Sequence, residues 1–190
     1  MRLRALGLCL SILASAAAHG AADSLDEIMH SLGERRHGEV SFVEQQFLSL
    51  LKRPVESSGV LIYDAPDRLE KRTLEPHPES LLVAGNVLTV QRGQRRHVLE
   101  LKSYPQVLPF VESIRATLAG DRAALERVFR LEFAGNFARW TLVLVPLDAH
   151  LAKTVSQIQI DGSRDDLLKV EIRQADGDRS LMTLRPRPSP

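Results

Sequence analysis

Short apolar segments separated by turn residues make up most of the chain from Val40 onward. Runs of this length, rich in Val, Ile and Leu and bounded by Gly, Asn, Asp or Pro, are typical of β-strands. Because tight turns such as Gly85-Asn86 join neighbouring segments without an intervening helix, the segments predict an antiparallel meander. Eleven strands are predicted, at Val40–Leu50, Gly59–Asp64, Leu69–Leu74, Leu81–Ala84, Val87–Gln91, Arg96–Lys102, Arg130–Ala134, Trp140–Val145, Thr154–Asp161, Leu167–Gln174 and Ser180–Leu184.

Three segments have helical rather than strand periodicity. Ser24 to Glu27 has the form of a capping box, and it opens a predicted helix with apolar residues at helical spacing. Apolar residues repeat at helical spacing again from Val107 to Leu118, and Asp121 can cap a further helix. Because open sheets of about ten or more strands tend to curl, the predicted fold is α+β. It is a curled antiparallel sheet, forming an open half β-barrel covered by short helices.

The first 22 residues have the composition of a secretory signal peptide. Arg2 and Arg4 precede an apolar stretch that ends in small residues around Ala22, and the stretch is too short to span a membrane. The alternative is a buried N-terminal helix. We therefore predict a single domain over residues 23–190, with a frayed tail at 185–190, exported to an extracytoplasmic compartment. Cys9 is the only cysteine, and Leu8 stands where a lipid-attachment site needs a small residue, so we expect no lipid anchor.

The mature chain has little that points to catalysis, metal binding or nucleic-acid binding. Removing residues 1–22 takes away two of the 25 basic residues and none of the 24 acidic ones, which leaves a nearly neutral chain. No histidine pair has metal-ligand spacing, and no nucleophile motif or phosphate loop is present. We therefore predict no enzyme activity, no cofactor and no nucleic-acid partner. The carboxylate pairs Asp64 with Asp67 and Asp165 with Asp166 fit turn positions best.

Two further features allow more than one interpretation. Trp140, Leu142 and Leu144 share one face of a strand whose other face is also apolar, so that strand is covered on both sides. It could line a ligand cavity or belong to a packed core. The predicted hairpin tip at Arg92 to His97 carries three arginines, and it could be a solvated loop or a docking patch.

The order of segments and several local motifs resemble the LolA/LolB family of periplasmic lipoprotein carriers. Phe42-x-x-x-Gln46 is similar to an early strand of that family, and Gly59 to Tyr63 followed by Pro66 is similar to its first hairpin. Leu118 to Asp121 resembles its lid helices, and Trp140 to Pro146 resembles its L-x-L-x-P strand. The likeness covers nearly the whole mature chain. It implies an unclosed barrel whose concave face, covered by helices, shelters acyl chains.

One stretch departs from the family pattern. Lipoprotein carriers have an R-P-x-x-F-x-W type of segment after the first hairpin, whereas here Ala65 replaces the arginine and Leu69 and Lys71 replace the aromatic pair. The arginine is linked to lid control in that family. The P-D-R-L-E version at Pro66 to Glu70 is more similar to a LolA-related branch that is associated with the export of other lipids.

The resemblance implies a soluble, monomeric periplasmic carrier that shelters lipid chains for transfer towards the outer membrane. Its partners would be a lipid or lipidated passenger and membrane-bound donor or acceptor proteins. The alternative is a protein-interaction or sensor module on the same fold. The residues predicted to line the cavity and its lid are Phe42, Leu61, Leu69, Leu82, Leu88, Val90, Phe110, Ile114, Leu118, Phe129, Trp140, Leu142 and Leu144. A one-residue error in strand parity would reverse the face that each strand presents.

Overall fold

The computed structural model describes residues 15–104 and 108–186, with side chains from residue 24 onward except at positions 109 and 110. Eleven strands and four short α-helices account for most of these residues. The helices are α1 (Ser15–Glu34), α2 (Leu108–Leu118), α3 (Arg122–Glu126) and α4 (Ala149–Ala152), and a 3₁₀-helix covers Leu101–Ser103. The strands are β1 (His37–Phe47), β2 (Val55–Asp64), β3 (Arg68–Glu75), β4 (Glu79–Ala84), β5 (Val87–Arg92), β6 (Arg95–Glu100), β7 (Phe129–Asn136), β8 (Arg139–Pro146), β9 (Val155–Ser163), β10 (Asp166–Gln174) and β11 (Arg179–Pro186).

All eleven strands form one antiparallel sheet that does not close. Their order is β6-β5-β4-β3-β2-β1-β11-β10-β9-β8-β7, so the chain runs as two meanders joined where β11 pairs with β1. The edge strands β6 and β7 are consecutive in the chain, and α2 and α3 lie between them in sequence. The predicted α+β fold, an open half-barrel with short helices, is confirmed.

Strand register places one continuous set of apolar side chains on the concave face. Phe42 lies opposite Leu184 on one side and Gly59 on the other, and Ile160 lies opposite Val170 and Leu142. Because side chains alternate along a strand, alternate positions on every strand join this face. The helices pack against it.

Helix α1 fills one half of the concave face. Leu25, Ile28 and Leu32 are buried against the inward side chains of β7 to β9, where Leu142, Leu144, Ile158 and Ile160 are almost completely inaccessible. The described side chains of α1, from Ser24 onward, thus contribute to this core.

The convex face carries buried carboxylates neutralised by neighbouring arginines. Glu70 on β3 accepts hydrogen bonds from Arg68, Arg72 and Ser80. The bond from Arg72 is the main reason that the pKa of Glu70 lies below its ordinary value. These contacts account for Arg68, Glu70 and Arg72, whose side chains lie on the side of the sheet away from the helices.

Some boundaries differ from the sequence prediction. Helix α1 begins at Ser15 rather than Ser24, because the alanine-rich residues before Ser24 have high helix propensity and continue the helix upstream. Strand β7 begins at Phe129, one residue before its predicted start at Arg130. The short helix α4, which Asp148 caps, was not predicted, since four residues are too few for helical periodicity to be visible.

Candidate functional site

A cavity of about 290 Å³ lies between α2 and the half of the concave face that α1 leaves uncovered. Strands β2 to β5 supply one wall, with side chains that alternate regularly along each strand. The wall residues are Leu61, Tyr63, Leu69, Leu81, Val83 and Leu88. The volume is near the lower end of the roughly 300–1,000 Å³ of small-molecule pockets, so it fits one chain-like ligand better than several.

A second wall and a roof complete the enclosure. Strands β10 and β11 form the opposite wall. Helix α2 forms the roof of the cavity, to which Val111, Ile114 and Leu118 contribute from one face of the helix. The opposite wall consists of Leu167, Val170, Ile172, Met182 and Leu184. Because almost all of these side chains are aliphatic, the cavity favours hydrocarbon over polar ligands.

One buried ion pair interrupts the apolar lining. Lys71 donates a hydrogen bond to Glu44, and Ser180 donates one of 2.6 Å to the other carboxylate oxygen. The Lys71 ammonium also lies 5.1 Å from the centre of the Phe42 ring. Burial opposes ionisation of Glu44, but the charge of Lys71 and the hydrogen bonds from Lys71 and Ser180 hold the pKa of its carboxyl below the ordinary value. Lys71, which replaces the family's aromatic residue, is therefore neutralised inside the site.

The ion pair lies where the cavity meets a more polar surface groove. Glu44 and Lys71 line both spaces. The groove continues past Ser57 and Thr73 to His77, between the β1–β2 and β3–β4 loops. The Glu44–Lys71 pair therefore forms the boundary between the apolar interior and the polar groove.

Arg115 ties the roof helix to the rim of the sheet. It donates to the carbonyl oxygen of Gly85 in the β4–β5 turn at 3.0 Å, and it pairs with Asp67 in the β2–β3 turn at 3.5 Å. Helix α2 thus contacts the rim of the sheet through its own Arg115. The arginine of the family's R-P-x-x-F-x-W segment is absent, because Ala65 takes its position.

A close helix contact fixes the other end of α2. Gly120 follows α2 with a φ of +66°, and a Cβ atom there would collide with the carbonyl oxygen of Met29 in α1. Only glycine tolerates both the positive φ and this approach. The roof is therefore held by backbone packing at Gly120 and by the Arg115 side chain at the rim.

Arg35 closes the cavity at the end of α1. Its guanidinium donates to Asp165 at 2.6 Å and to Asp166 at 2.9 Å, and both Arg35 and Asp166 line the cavity. Of the four aspartates predicted to lie in turns, Asp67 and Asp165 do so, whereas Asp64 ends β2 and Asp166 begins β10. Arg35, which directly follows α1, pairs with Asp165 and Asp166.

Five of the thirteen residues predicted to line a ligand site lie along this cavity. Leu61, Leu69 and Leu88 contribute from the sheet, and Ile114 and Leu118 contribute from α2. Phe110 lies in α2, but its side chain is outside the described part of the chain. Contact with a ligand stays a prediction for all of them.

The other seven residues lie elsewhere. Phe129, Trp140, Leu142 and Leu144 belong to the core under α1. Phe42 is on the concave face, buried beneath Lys71, and Val90 lies in a shallow depression at the β5–β6 tip. Leu82 pairs with Glu70 and Thr89 on the convex side, because the register places Leu81 and Val83 inward.

Sequence reasoning missed the wall formed by β10 and β11. Val170 and Ile172 alternate with Lys169, Glu171 and Arg173, and that clean alternation could have identified an apolar inward face. Glu44 has no such signal, since a single acidic residue in a strand does not show that it is buried. In residues 15–104 and 108–186, no group of three or more His, Cys, Asp or Glu side chains could hold a metal ion. None of the helices in that part is long and apolar enough to cross a membrane.

The fold is an open half-barrel with helices on its concave face, and comparison of the sequence with protein families identifies its family. The model of the family described as "Outer membrane lipoprotein carrier protein LolA-like" matches residues 16–185. The chain belongs to this LolA-like family. No curated protein sequence matches it significantly.

Solved structures with a similar overall course include three from different bacteria. A LolA superfamily protein from Nitrosomonas europaea is 11% identical, with 90% of this chain and 95% of that chain covered and a TM-score of 0.43. The lipoprotein LppX of Mycobacterium tuberculosis is 11% identical, with coverages of 89% and 98% and a TM-score of 0.47. The MucA/MucB complex of Pseudomonas aeruginosa is 15% identical over 90% of this chain and 58% of that chain, with a TM-score of 0.47.

Proposed function

We propose that this protein is a periplasmic carrier that shelters one lipid chain in the cavity under α2 and catalyses no reaction. The observation that supports this most directly is the enclosed aliphatic lining between β2–β5, β10–β11 and α2. A membership of the LolA-like family agrees with it. The proposed passenger is an acyl or other hydrocarbon chain, carried either by a free lipid or by a lipidated protein.

Burial of hydrocarbon is sufficient to drive binding. Each methylene moved from water into an apolar site contributes roughly 0.8 kcal/mol, so about ten methylenes contribute on the order of 8 kcal/mol before entropic losses. Such a gain gives useful affinity without any directional contact. Selectivity for the polar end of the passenger would then come from Glu44, Lys71 and the groove beyond them.

Release of the lipid chain requires an opening in the cavity, and movement of the roof helix α2 provides one. Helix α2 is held at the rim by Arg115, whose contacts are with one carbonyl oxygen and with partly exposed carboxylates. Contacts of this kind are individually weak. Membrane-bound donor and acceptor proteins could therefore open the roof at small cost, and a monomer is enough for this cycle.

The test compares two neighbouring leucines of β4 with opposite orientation. Leu81 lines the cavity, whereas Leu82 lies on the convex side. We expect Leu81→Trp to fill part of the cavity and weaken binding of a fluorescent fatty acid at least tenfold. Leu82→Trp, which adds the same group outside, should change binding less than twofold. Equal urea midpoints for the two variants would show that both are folded.

Native mass spectrometry of the purified protein identifies the passenger. A mass increment of a lipid, or co-purification of an acylated protein, distinguishes the two sources of the chain. Protein that is always empty and binds no fluorescent fatty acid would exclude the carrier function. In that case the alternative, an interaction or sensor module, would be favoured if a partner protein is captured equally well by the wild type and by Leu81→Trp.

A further inference from the structure

Exposed apolar side chains are concentrated at one end of the half-barrel. Because the strands alternate in direction, the β1–β2 loop, the β3–β4 loop, the β5–β6 turn and the end of β8 all lie at the same end. Eight large apolar residues of the described chain are exposed, and five of them are at this end. These five are Leu50, Leu51, Val55, Leu74 and Leu147.

The β1–β2 loop presents the most exposed of these side chains. Leu50 is 95% exposed and Leu51 is 50% exposed. Two backbone hydrogen bonds hold the loop in shape, one from Leu51 to the carbonyl of Leu48 at 2.9 Å and one from Ser49 to the Asp178 carboxylate at 2.7 Å. The leucines are therefore held outward by an ordered turn.

Basic side chains without carboxylate partners accompany the leucines. Lys52 and Arg53 follow them directly, and Arg95 and Arg96 lie on the strand after the β5–β6 turn at the same end. All four are exposed, and none forms an ion pair with another described residue. Apolar residues that insert at the headgroup level, flanked by cations that attract anionic lipids, are the usual composition of a membrane-binding surface.

We propose that this end of the half-barrel docks on the surface of a bilayer that contains anionic phospholipid. Leu50 and Leu51 insert, and Lys52, Arg53, Arg95 and Arg96 contact headgroups. Apolar side chains that protrude from a loop beside cations suit shallow insertion at the headgroup level. The groove beyond Glu44 and Lys71 opens at this same end, so docking brings the groove that borders the cavity to the membrane.

Vesicle flotation tests the proposal with the purified protein. We expect binding to phosphatidylcholine vesicles with about one third phosphatidylglycerol, little binding to phosphatidylcholine alone, and weaker binding as salt is raised. Lys52→Gln with Arg53→Gln should weaken binding roughly twenty-five-fold, because each cation near an anionic surface contributes about fivefold. Leu50→Ser with Leu51→Ser should weaken it at least tenfold.

The matched control changes one exposed cation and one exposed apolar residue away from this end. Arg139 lies at the opposite end after the β7–β8 turn, and Val98 lies within β6 and is 60% exposed. Arg139→Gln with Val98→Ser should bind like wild type. Equal loss in this control, or no binding of the wild type to the mixed vesicles, would overturn the proposal.

A fluorescence measurement reports insertion directly. Trp140 is the only tryptophan and is buried, so Leu50→Trp adds a distinguishable second fluorophore. Its emission should shift to the blue on vesicles and be quenched by brominated lipid, while Trp140 is unaffected. A different result would assign the surface to a second copy of the chain. In that case the protein does not bind vesicles but forms concentration-dependent dimers, and the Leu50→Ser and Leu51→Ser changes abolish these dimers. Docking needs no occupied cavity, so it can fail or succeed independently of the carrier function.

Discussion

The two halves of one concave sheet face differ in what covers them. Under β7 to β9, α1 inserts Leu25, Ile28 and Leu32, and the inward side chains are almost completely buried. Under β2 to β5, α2 rests on the rim through Arg115 and leaves a cavity. The same kind of inward aliphatic surface thus serves as core in one half and as site in the other. The covering helix makes the difference.

The largest expected difference concerns identical truncations in the two halves. Leu142→Ala removes a completely buried side chain from the filled half and should lower the free energy of unfolding by about 2–5 kcal/mol. Leu61→Ala removes a side chain that already faces a cavity, so fewer packing contacts are lost and about 1 kcal/mol is expected. Urea denaturation measures both. Equal losses would show that the open half is packed as tightly as the filled half.

A pair of glycine substitutions sharpens the comparison. A Cβ at Gly162 would collide with the ring of Trp140, so Gly162→Ala should cost about 1–3 kcal/mol of unfolding free energy. A Cβ at Gly38, which lines the cavity, would meet only the Arg35 side chain at 3.6 Å. Gly38→Ala should be neutral or stabilising by up to about 1 kcal/mol. Thermal unfolding of the two variants tests this, and a destabilising Gly38→Ala would contradict it.

Buried charge also distinguishes the two halves of the concave face, because the open half contains the Glu44–Lys71 pair. The pKa of Glu44 is lower in the folded state than its ordinary value of 4.5. Its contribution to stability is therefore present above about pH 4.5 and is lost as the pH falls through the folded pKa. Glu44→Gln should lower stability at pH 7 by on the order of 1 kcal/mol and reduce the loss between about pH 5 and pH 3.

Denaturation midpoints across this pH range give the measurement for Glu44. The matched control is Glu132→Gln, an exposed carboxylate on β7 that pairs with Arg130. That change should leave the pH dependence close to that of wild type. An unchanged profile in Glu44→Gln would mean that the ion pair adds nothing to stability.

The smallest expected effect concerns the arginine side chains that hold the helices in place. Arg115→Ala should change the global free energy of unfolding by less than about 1 kcal/mol, but it should speed amide hydrogen exchange in α2 several-fold. Arg122 links α3 to Asp26 of α1 in the filled half, so Arg122→Ala should leave exchange in α2 unchanged. Faster exchange of α2 in both variants would argue against a separate roof held by Arg115.

Much of the fold could be predicted from local pattern. All eleven strands fall where short apolar segments alternate with turn residues, and the helix over 107–118 begins within a residue of its prediction. Strand ends were predicted less exactly. Strand β7 continues to Asn136, two residues beyond its predicted end, and the turn is at Phe137-Ala138, because strand pairing selects among several residues that tolerate turn conformations.

The site was predicted less completely, for two physical reasons. Leu81 and Leu82 are adjacent and identical, so only the pairing of β4 with β3 decides which one faces inward. Trp140, Leu142 and Leu144 do face the concave side, but no local pattern shows that α1 lies on them. A strand covered by a helix and a strand that faces an apolar cavity both need apolar inward side chains, so the sequence does not distinguish them.

The sequence by itself therefore determined the strands, three of the four helices, the open sheet and the family, because alternation, turn residues and helical spacing are local properties. The tertiary structure decided which half of the sheet is core and which is cavity, because that depends on where α1 and α2 pack. It also decided that Lys71 meets Glu44 inside the site and that Leu50 and Leu51 project beside unpaired cations. These contacts join residues whose distance in space no local pattern encodes.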